Sequence, residues 1–195
     1  MQARPQSLAE VQAAIWQQLE SATTERAHEW RSLVLATTDG EAADARVVIL
    51  READTRNRQL TFYTDSRAAK VAQMQQHPRG KLVMWYRALG WQLRLSVSLQ
   101  LETSGLAASS RWLRIKLTPA AQDYLSPLPP GTPLEAAAAA GSSMASGRDL
   151  PPGGQVREHF AVVHARVTSA DWLELHPQGH RRAVFDDQGA RWVQA

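Results

Sequence analysis

Two short basic segments carry the residue types that bind anionic ligands. In the first, Arg46 and Arg51 bracket a run of four apolar residues. In the second, Ser66, Arg67 and Lys70 follow a strand-like segment at the start of a predicted helix. Arginine, lysine and the unpaired N–H groups of a helix N-terminus all favour phosphate or carboxylate ligands. Their proximity along the chain therefore indicates a candidate anion site.

The helix start is the more informative half of this candidate site. Serine is a common helix cap, and we expect the Ser66 hydroxyl to cap this helix. Arg67 and Lys70 then fall in the first turn, where the helix dipole disfavours positive charge unless an anion binds there. Two plainer interpretations stay open. The helix residues can be solvated surface side chains, and Arg46 and Arg51, on opposite faces by strand alternation, can be rim residues.

The elements that must position these residues are mostly strands. An amphipathic helix over about 7–20 opens the chain, with capping-box spacing between Ser7 and Glu10. Alternation and turn signals predict the remaining elements, including a hairpin at Asp39-Gly40 and a 172–176 strand that pairs back on its predecessor through a short turn. Strands are predicted over 33–38, 45–50, 60–64, 81–86, 91–102, 159–168, 172–176, 183–185 and 191–193, and helices over 66–76 and 109–116. This order predicts a mainly β (α+β) fold, an antiparallel barrel or sandwich with peripheral helices.

The composition is typical of one ordinary globular domain. The chain has 195 residues, a formal net charge of +3 and no cysteine. The lack of cysteine excludes disulfide scaffolds, thiolate nucleophiles and iron–sulfur clusters, and the net charge is too small to argue for nucleic-acid binding. We therefore expect a single domain over 1–195, with a mobile loop over about 127–156 where Pro, Gly and Ser are frequent.

Two further expectations concern location and metals. The sequence shows no leader-like segment and no run of about 18 apolar residues, which predicts a cytoplasmic protein without a membrane span. The closely spaced pair His176 and His180 lacks a third ligand in the sequence, so no metal site is expected.

The ordered set of motifs resembles the pyridoxamine 5′-phosphate oxidase-like family of FMN-binding split barrels. The resemblance extends from about Leu33 to the end of the chain. It implies a split β-barrel that binds FMN noncovalently, in a homodimer whose two subunits complete each flavin site. The motifs that carry it are Arg46 to Arg51, Phe62-Tyr63-Thr64, Lys70 and Gln92-Leu93-Arg94.

The resemblance also implies a role for each matched residue. Arg46 and Lys70 would contact the FMN phosphate, and Arg51 would lie beside the flavin ring. Tyr63 and Thr64 would hold the cofactor. The remaining cofactor-binding candidates are the strand backbone at Val47 and Val48 and the side chain of Gln92, which would approach the isoalloxazine.

The chain departs from the family pattern near the phosphate. Ala68 and Ala69 stand where the family has serine and arginine, so Ser66 and Arg67 must substitute for them. Val97 replaces a common glycine after the glutamine strand. These departures predict weaker FMN binding than is usual in the family.

Substrate-binding residues match less well. The Tyr124 to Pro130 segment lacks the arginine with which the oxidases proper hold the phosphate of their substrate. Leu175 stands in place of a tryptophan, whereas His180-Arg181-Arg182 preserves a basic pair, so Arg181 and Arg182 are the substrate candidates. The chain therefore resembles the broader FMN-binding branch of the family more than a committed vitamin oxidase.

The activity that the resemblance implies is that of an FMN-dependent oxidoreductase. Hydride would pass from a small substrate to FMN, and an acceptor such as oxygen would reoxidise the flavin. The protein would supply binding and electrostatics, with Arg51 stabilising the anionic reduced flavin. A flavin-binding protein without turnover is an alternative that stays open.

A second alternative comes from the aromatic residues. Trp85, Tyr86 and Trp91, flanked by Arg87 and Arg94, are typical of a platform on which bases stack. This pattern predicts a single-strand nucleic-acid-binding barrel that needs no flavin.

Overall fold

The structure is a computed structural model that describes residues 4–133, Glu135 and 159–195. Most of the loop predicted over 127–156 lies outside these residues. The helices are α1 (Leu8–Thr24), α2 (Ala69–Gln76) and α3 (Gly105–Ile115), with 3-10 turns at Glu29–Arg31 and Pro119–Tyr124. The strands are β1 (Ser32–Thr38), β2 (Ala43–Ile49), β3 (Glu52–Asp54), β4 (Gln59–Asp65), β5 (Arg79–Tyr86), β6 (Trp91–Glu102), β7 (Phe160–Glu174), β8 (Arg181–Asp186) and β9 (Gly189–Val193). None of the helices in the described ranges is long and apolar enough to cross a membrane.

The strands form one antiparallel sheet whose spatial order differs from the sequence order. The order is β2-β1-β5-β6-β7-β4-β3, and β8 pairs with both β7 and β9. The long strands β6 and β7 pair along most of their length and join the two halves of the sheet. This arrangement confirms the predicted mainly β fold with peripheral helices.

Helix α1 packs on the barrel through one apolar face. The Ser7 hydroxyl accepts from the Glu10 backbone N–H, and the Glu10 carboxylate accepts from the Ser7 N–H, which confirms the capping box. Apolar residues at helical spacing, with Ile15 and Leu19 among the most buried, join the main core beneath the sheet.

The prediction of two separate strands over 159–168 and 172–176 is wrong, because β7 is one continuous strand. A β-bulge explains the error. Ser96 pairs with Ser169 whereas the next residue of β6, Val97, pairs with Val167, which leaves Thr168 as an extra residue. The bulge moves the buried positions of β7 from odd to even residue numbers. In the sequence, this break in alternation has the same signature as a turn.

Helix α3 packs on β7 through a second, smaller buried cluster. The Phe160 ring lies 5.4 Å from the Trp112 ring and 5.2 Å from the Tyr124 ring, centre to centre. The Tyr63 ring lies 5.0 Å from the same phenylalanine. Tyr63 therefore lies on the side of the barrel that α3 and the following 3-10 turn cover.

Candidate functional site

Arg46 joins strand β2 to helix α2. Its partner across the β1–β2 ladder is the buried Leu35, so the Arg46 side chain leaves the sheet on its core side. The guanidinium donates from Nη1 to the Thr37 hydroxyl at 2.5 Å and from Nη2 to the Gln73 side-chain oxygen at 3.0 Å. These contacts hold the charged group beside α2.

Lys70 brings a second positive charge to the same place. It lies in the first turn of α2, and its Nζ atom donates to the Thr64 hydroxyl at 3.2 Å. Burial lowers the pKa of Lys70, and the nearby Arg46 guanidinium lowers it further against the opposing effect of nearby aspartates. The site therefore holds positive charge at an electrostatic cost, which a bound anion would remove.

The N-terminus of α2 adds a further source of positive potential. Its N-cap is Ala68, which provides no side-chain cap. The first N–H groups of a helix have no partners within the helix, so this end favours an anion. The two cations and the Thr64 hydroxyl thus make a donor set that suits a phosphate group, and Thr37, whose own hydroxyl donates to Gln73, positions Arg46. We call this set, Thr37, Arg46, Thr64 and Lys70, the α2 anion cluster.

The prediction that Ser66 caps α2 is wrong, because the helix begins at Ala69. The Ser66 backbone N–H donates instead to the His159 carbonyl oxygen at 2.8 Å. Ala68 fills the N-cap position because β4 runs on to Asp65 and a short turn separates it from the helix. A role for Ser66 in binding the cofactor stays a prediction.

Arg67 lies before the first turn of α2, not in it as predicted. Its guanidinium makes a two-point contact with the buried Asp65 carboxylate, at 3.0 Å from Nε and 2.7 Å from Nη2. The same group donates to the carbonyl oxygens of Ser126 and Pro127. Arg67 therefore ties the end of β4 to the segment after the second 3-10 turn, and its contact with a cofactor stays a prediction.

Arg51 and Tyr63 form a second polar group beyond the end of β2. The Arg51 guanidinium carbon lies 5.5 Å from the centre of the Tyr63 ring, a cation–π contact. The Arg51 Nε atom is buried and has no hydrogen-bond acceptor within the described residues. A buried donor of this kind costs stability until it finds an acceptor. Burial also raises the pKa of Tyr63, so its phenol is a neutral donor at physiological pH.

The two valines that follow Arg46 point to opposite sides of β2. Val47 is 64% exposed, whereas Val48 is 7% exposed and belongs to the main core. Because neighbouring side chains of a strand alternate, only the backbone between Val47 and Val48 is common to both faces of β2. The predicted backbone contacts at Val47 and Val48 stay predictions.

Gln92 lies on the other face of the sheet from Arg46. Its neighbours along β6, Trp91 and Leu93, are buried in the core, so the Gln92 side chain points outward. Across the sheet, Gln92 stands in one row with Trp85, Leu173 and Arg182. The predicted cofactor residues therefore fall on two faces of one chain.

The two substrate candidates take part in ion pairs within the chain. Arg181 contacts the buried Glu174 carboxylate at 2.8 Å and donates to the Pro5 carbonyl oxygen at 2.7 Å. Arg182 contacts Asp171 at 2.7 Å, and Arg94 contacts the same carboxylate. Substrate binding by Arg181 or Arg182 stays a prediction, and would compete with these pairs.

The predicted stacking platform for bases is wrong. Trp91 is only 4% exposed, and its ring packs on Trp30 and Trp172 inside the core. Tyr86 packs against His28 at 4.8 Å, whereas Trp85 on the opposite face is 43% exposed. Tyr86 and Trp91 thus point into the core while Trp85 points outward, so the three rings do not form one stacking surface.

Three contributors to the site were not predicted: Thr37, Gln73 and Asp44, whose carboxylate forms an ion pair with Arg46. Gln73 lies three residues after Lys70 on the same face of α2, a spacing visible in the sequence. Asp44 lies two residues before Arg46 on the same face of β2. Thr37 could be found only with the register of the β1–β2 hairpin, which pairs Thr37 with Asp44.

The chain is similar in sequence to an FMN-binding domain family and to two named oxidases. Residues 13–102 match the family model described as pyridoxamine 5′-phosphate oxidase, FMN-binding domain. The pyridoxine/pyridoxamine 5′-phosphate oxidase of Caulobacter vibrioides is 26% identical over 182 residues, covering 90% of this chain and 78% of that protein. The protein of the same name from Granulibacter bethesdensis is 24% identical over 190 residues, covering 93% and 87%.

Solved structures show the same fold. A pyridoxamine 5′-phosphate oxidase-related, FMN binding protein from Nostoc punctiforme PCC 73102 superposes with a TM-score of 0.71 at 24% identity, covering 94% of this chain and 96% of that one. PhzG from Burkholderia lata 383, solved with tetrahydrophenazine-1-carboxylic acid, gives 0.68 at 20% identity, covering 94% and 90%. The split-barrel fold and the resemblance to pyridoxamine 5′-phosphate oxidase-like proteins are confirmed.

Proposed function

We propose that this chain binds FMN at the α2 anion cluster and works as a flavin-dependent oxidoreductase. The observation that carries the proposal is the convergence of Arg46 and Lys70 beside α2, where Lys70 lies in the first turn and Arg46 contacts Gln73. Both cations lie within the 13–102 range that matches an FMN-binding domain. Because the Lys70 ammonium group is partly buried and its hydrogen bond goes to the neutral Thr64 hydroxyl, the cluster suits a doubly charged phosphate.

Each group of the cluster has a distinct task in holding the phosphate. Arg46 supplies planar N–H donors in a fixed orientation, because Thr37 and Gln73 already position its guanidinium. Lys70 supplies a compact point charge from the first turn of α2. The Thr64 hydroxyl can accept from Lys70 and donate to a phosphate oxygen.

Arg51 and Tyr63 are the groups that we place beside the flavin ring. When bound, FMN would supply the site that accepts hydride from a small substrate and passes electrons on to an acceptor such as oxygen. The Arg51 guanidinium, with a buried Nε donor that has no acceptor in the described structure, suits negative charge that develops next to it. Tyr63 holds the guanidinium through its ring face.

We also propose that the functional unit is a homodimer. Arg46 leaves the sheet on its core side, whereas Gln92 and Arg182 stand together on the outer face. One flavin can contact both groups only if the second group comes from another copy of the chain. The outer face suits such a contact, because Val47, Val34 and Val83 form a continuous apolar row across three strands.

The names of the curated relatives suggest the first substrate to test. Both are called pyridoxine/pyridoxamine 5′-phosphate oxidases, so pyridoxamine 5′-phosphate is the starting compound. A different substrate stays open, because the Tyr124 to Pro130 segment lacks the arginine expected of the oxidases proper.

An absorption spectrum of the purified 195-residue chain tests flavin binding. We expect visible flavin bands after incubation with FMN and dialysis, and chromatography of the released cofactor should identify it as FMN. A chain that takes up no flavin under these conditions would contradict the proposal.

Addition of pyridoxamine 5′-phosphate without oxygen tests turnover on the loaded protein. Loss of the visible flavin band, followed by its return in air, would support the oxidoreductase. Pyridoxal 5′-phosphate, which is already oxidised, serves as the control and should leave the band unchanged. A flavin band that no reduced substrate bleaches would favour a flavin-binding protein without turnover.

A further inference from the structure

The Asp44 carboxylate contacts both the guanidinium of Arg46 and the side chain of Gln73, which is itself a partner of Arg46. The two residues lie on the same face of β2, and the Asp44 carboxylate forms an ion pair with Arg46 Nη2. The side-chain amide of Gln73 donates to the same carboxylate oxygen at 3.2 Å. The side-chain oxygen of Gln73 accepts from Arg46 Nη2 at 3.0 Å. Asp44, Arg46 and Gln73 therefore form a closed triangle of polar contacts at the edge of the α2 anion cluster.

Asp44 supplies the negative charge in this triangle. The other acceptors of the Arg46 guanidinium are neutral, namely the Thr37 hydroxyl, the Leu35 carbonyl and the Gln73 side-chain oxygen. The hydrogen bond from Gln73 lowers the pKa of Asp44, and pairing with Arg46 adds to this effect. The carboxylate is therefore ionised at neutral pH.

We propose that Asp44 competes with the cofactor phosphate for Arg46 and thereby weakens the preference of this chain for FMN over riboflavin. The inference rests on the proposed function. A phosphate that contacts Arg46 at Nη2 either displaces the carboxylate, which costs the Asp44–Arg46 ion pair, or lies close to it, which sets like charges against each other. Riboflavin has no phosphate, so Asp44 does not affect its binding.

This competition has a consequence for how the cofactor is held. The Asp44 side chain is 51% exposed, so the carboxylate can rotate into solvent when an anion arrives. Arg46 then exchanges one charged partner for another, and the net gain from phosphate binding is smaller than for an unpaired arginine. A chain built in this way releases and rebinds FMN more readily than a chain with a neutral residue at position 44.

The test compares Asp44→Asn with the wild-type chain in equilibrium titrations with FMN and with riboflavin. The asparagine keeps the size of the side chain and an oxygen that can accept from Arg46, but it removes the charge. We expect FMN to bind roughly threefold to tenfold more tightly to the variant, with less difference at high salt. The riboflavin Kd should stay within about twofold of the wild type.

Two control variants isolate the charge at this position. Asp44→Glu keeps a negative charge and should bind FMN like the wild type. Asp186→Asn removes a carboxylate from another aspartate–arginine pair, with Arg191 in the β8–β9 hairpin. It should leave both affinities unchanged. Tighter FMN binding by all of these variants would overturn a specific role for Asp44.

The outcomes separate this inference from the proposed function. Equal FMN binding by Asp44→Asn, with FMN still bound by the wild type, would overturn the competitor role, and weaker binding would overturn it in favour of a role in orienting Arg46. Tightening of FMN and riboflavin alike would also overturn it. Failure of both proteins to bind FMN would overturn the proposed function and this inference together.

Discussion

The Nζ atom of Lys70 and the hydroxyl oxygen of Thr64 lie 3.2 Å apart and link the first turn of α2 to the end of β4. The Lys70 charge costs stability in the flavin-free chain, because the ammonium group is partly buried and lies near Arg46. Lys70→Met keeps the apolar stem and removes the charge. We expect a higher melting temperature for the flavin-free variant and FMN binding that is about tenfold weaker.

The specific prediction for Lys70→Met is that the melting temperature of the flavin-free chain rises while FMN binding weakens. Scanning fluorimetry gives the melting temperature, and flavin fluorescence gives the Kd. Lys116→Met, at the end of α3, is the matched control and should leave FMN binding unchanged. A lower melting temperature for Lys70→Met would show that the lysine has a structural role instead.

The buried His28 makes the stability of the fold depend on pH. Its Nδ1 atom accepts from the Trp30 backbone N–H at 3.1 Å, and Nε2 lies 3.0 Å from the Gln18 side-chain oxygen. Burial lowers the pKa of His28 from 6.5, against the opposing effect of nearby glutamates. The unfolded chain therefore binds the proton first. The free energy of unfolding should fall as the pH drops from about 6.5 toward the lower pKa of the folded state.

His28→Asn isolates this effect, because asparagine can still accept from the Trp30 N–H but does not titrate in this range. Urea unfolding at about pH 7 and about pH 5 should show a smaller loss of stability for the variant than for the wild type. Equal losses in both proteins would assign the pH dependence to carboxylates elsewhere.

The buried Glu174 anchors the N-terminal segment to the barrel. Its carboxylate accepts from Arg4 at 2.7 Å, from Arg181 at 2.8 Å and from the Trp91 ring nitrogen at 3.3 Å. Glu174→Gln leaves two arginines without their counter-charge and should lower the free energy of unfolding by roughly 3 kcal/mol. Glu52→Gln, at a more exposed ion pair, should cost less than about 1 kcal/mol in the same denaturant experiment. Equal losses in the free energy of unfolding for Glu174→Gln and Glu52→Gln would mean that burial does not increase the contribution of the Glu174 ion pairs to stability.

The exposed Val47 tests the proposed homodimer. It lies on the outer face in the apolar row that we assign to the subunit contact, and Val47→Asp places a charge there. We expect sedimentation to show a shift from dimer to monomer, together with weaker FMN binding. Leu113→Asp changes a residue of similar exposure, 60% against 64%, on α3, and should leave the dimer intact. A wild-type chain that sediments as a monomer would contradict the homodimer.

Much of the fold could be predicted from the sequence because local patterns fixed it. The bounds of β6 were predicted correctly, since Trp91 to Glu102 alternates without interruption. The hairpin at Asp39-Gly40 was also predicted, because its turn residues are specific. The continuity of β7 was not, because the bulge at Thr168 depends on pairing with β6 and leaves only a break in alternation in the sequence.

The candidate site was predicted in part for similar reasons. Arg46 and Lys70 stand out by residue type, and the structure brings them together. Their supporting contacts with Thr37 and Gln73 depend on hairpin register and helix packing, which no local pattern determines. The cap assigned to Ser66 failed because a serine before a helix is a cap only when the helix begins at the next residue.

A fluorescence titration of FMN into wild-type and Arg46→Ala proteins shows whether Arg46 binds the phosphate of FMN. We expect the Kd of the variant to rise by about tenfold to a hundredfold, because a charged donor to the phosphate is lost. Arg191→Ala, which removes an arginine of the β8–β9 hairpin, should leave the Kd unchanged. An Arg46→Ala protein that binds FMN as tightly as the wild type would remove Arg46 from the site and overturn phosphate binding at the α2 anion cluster.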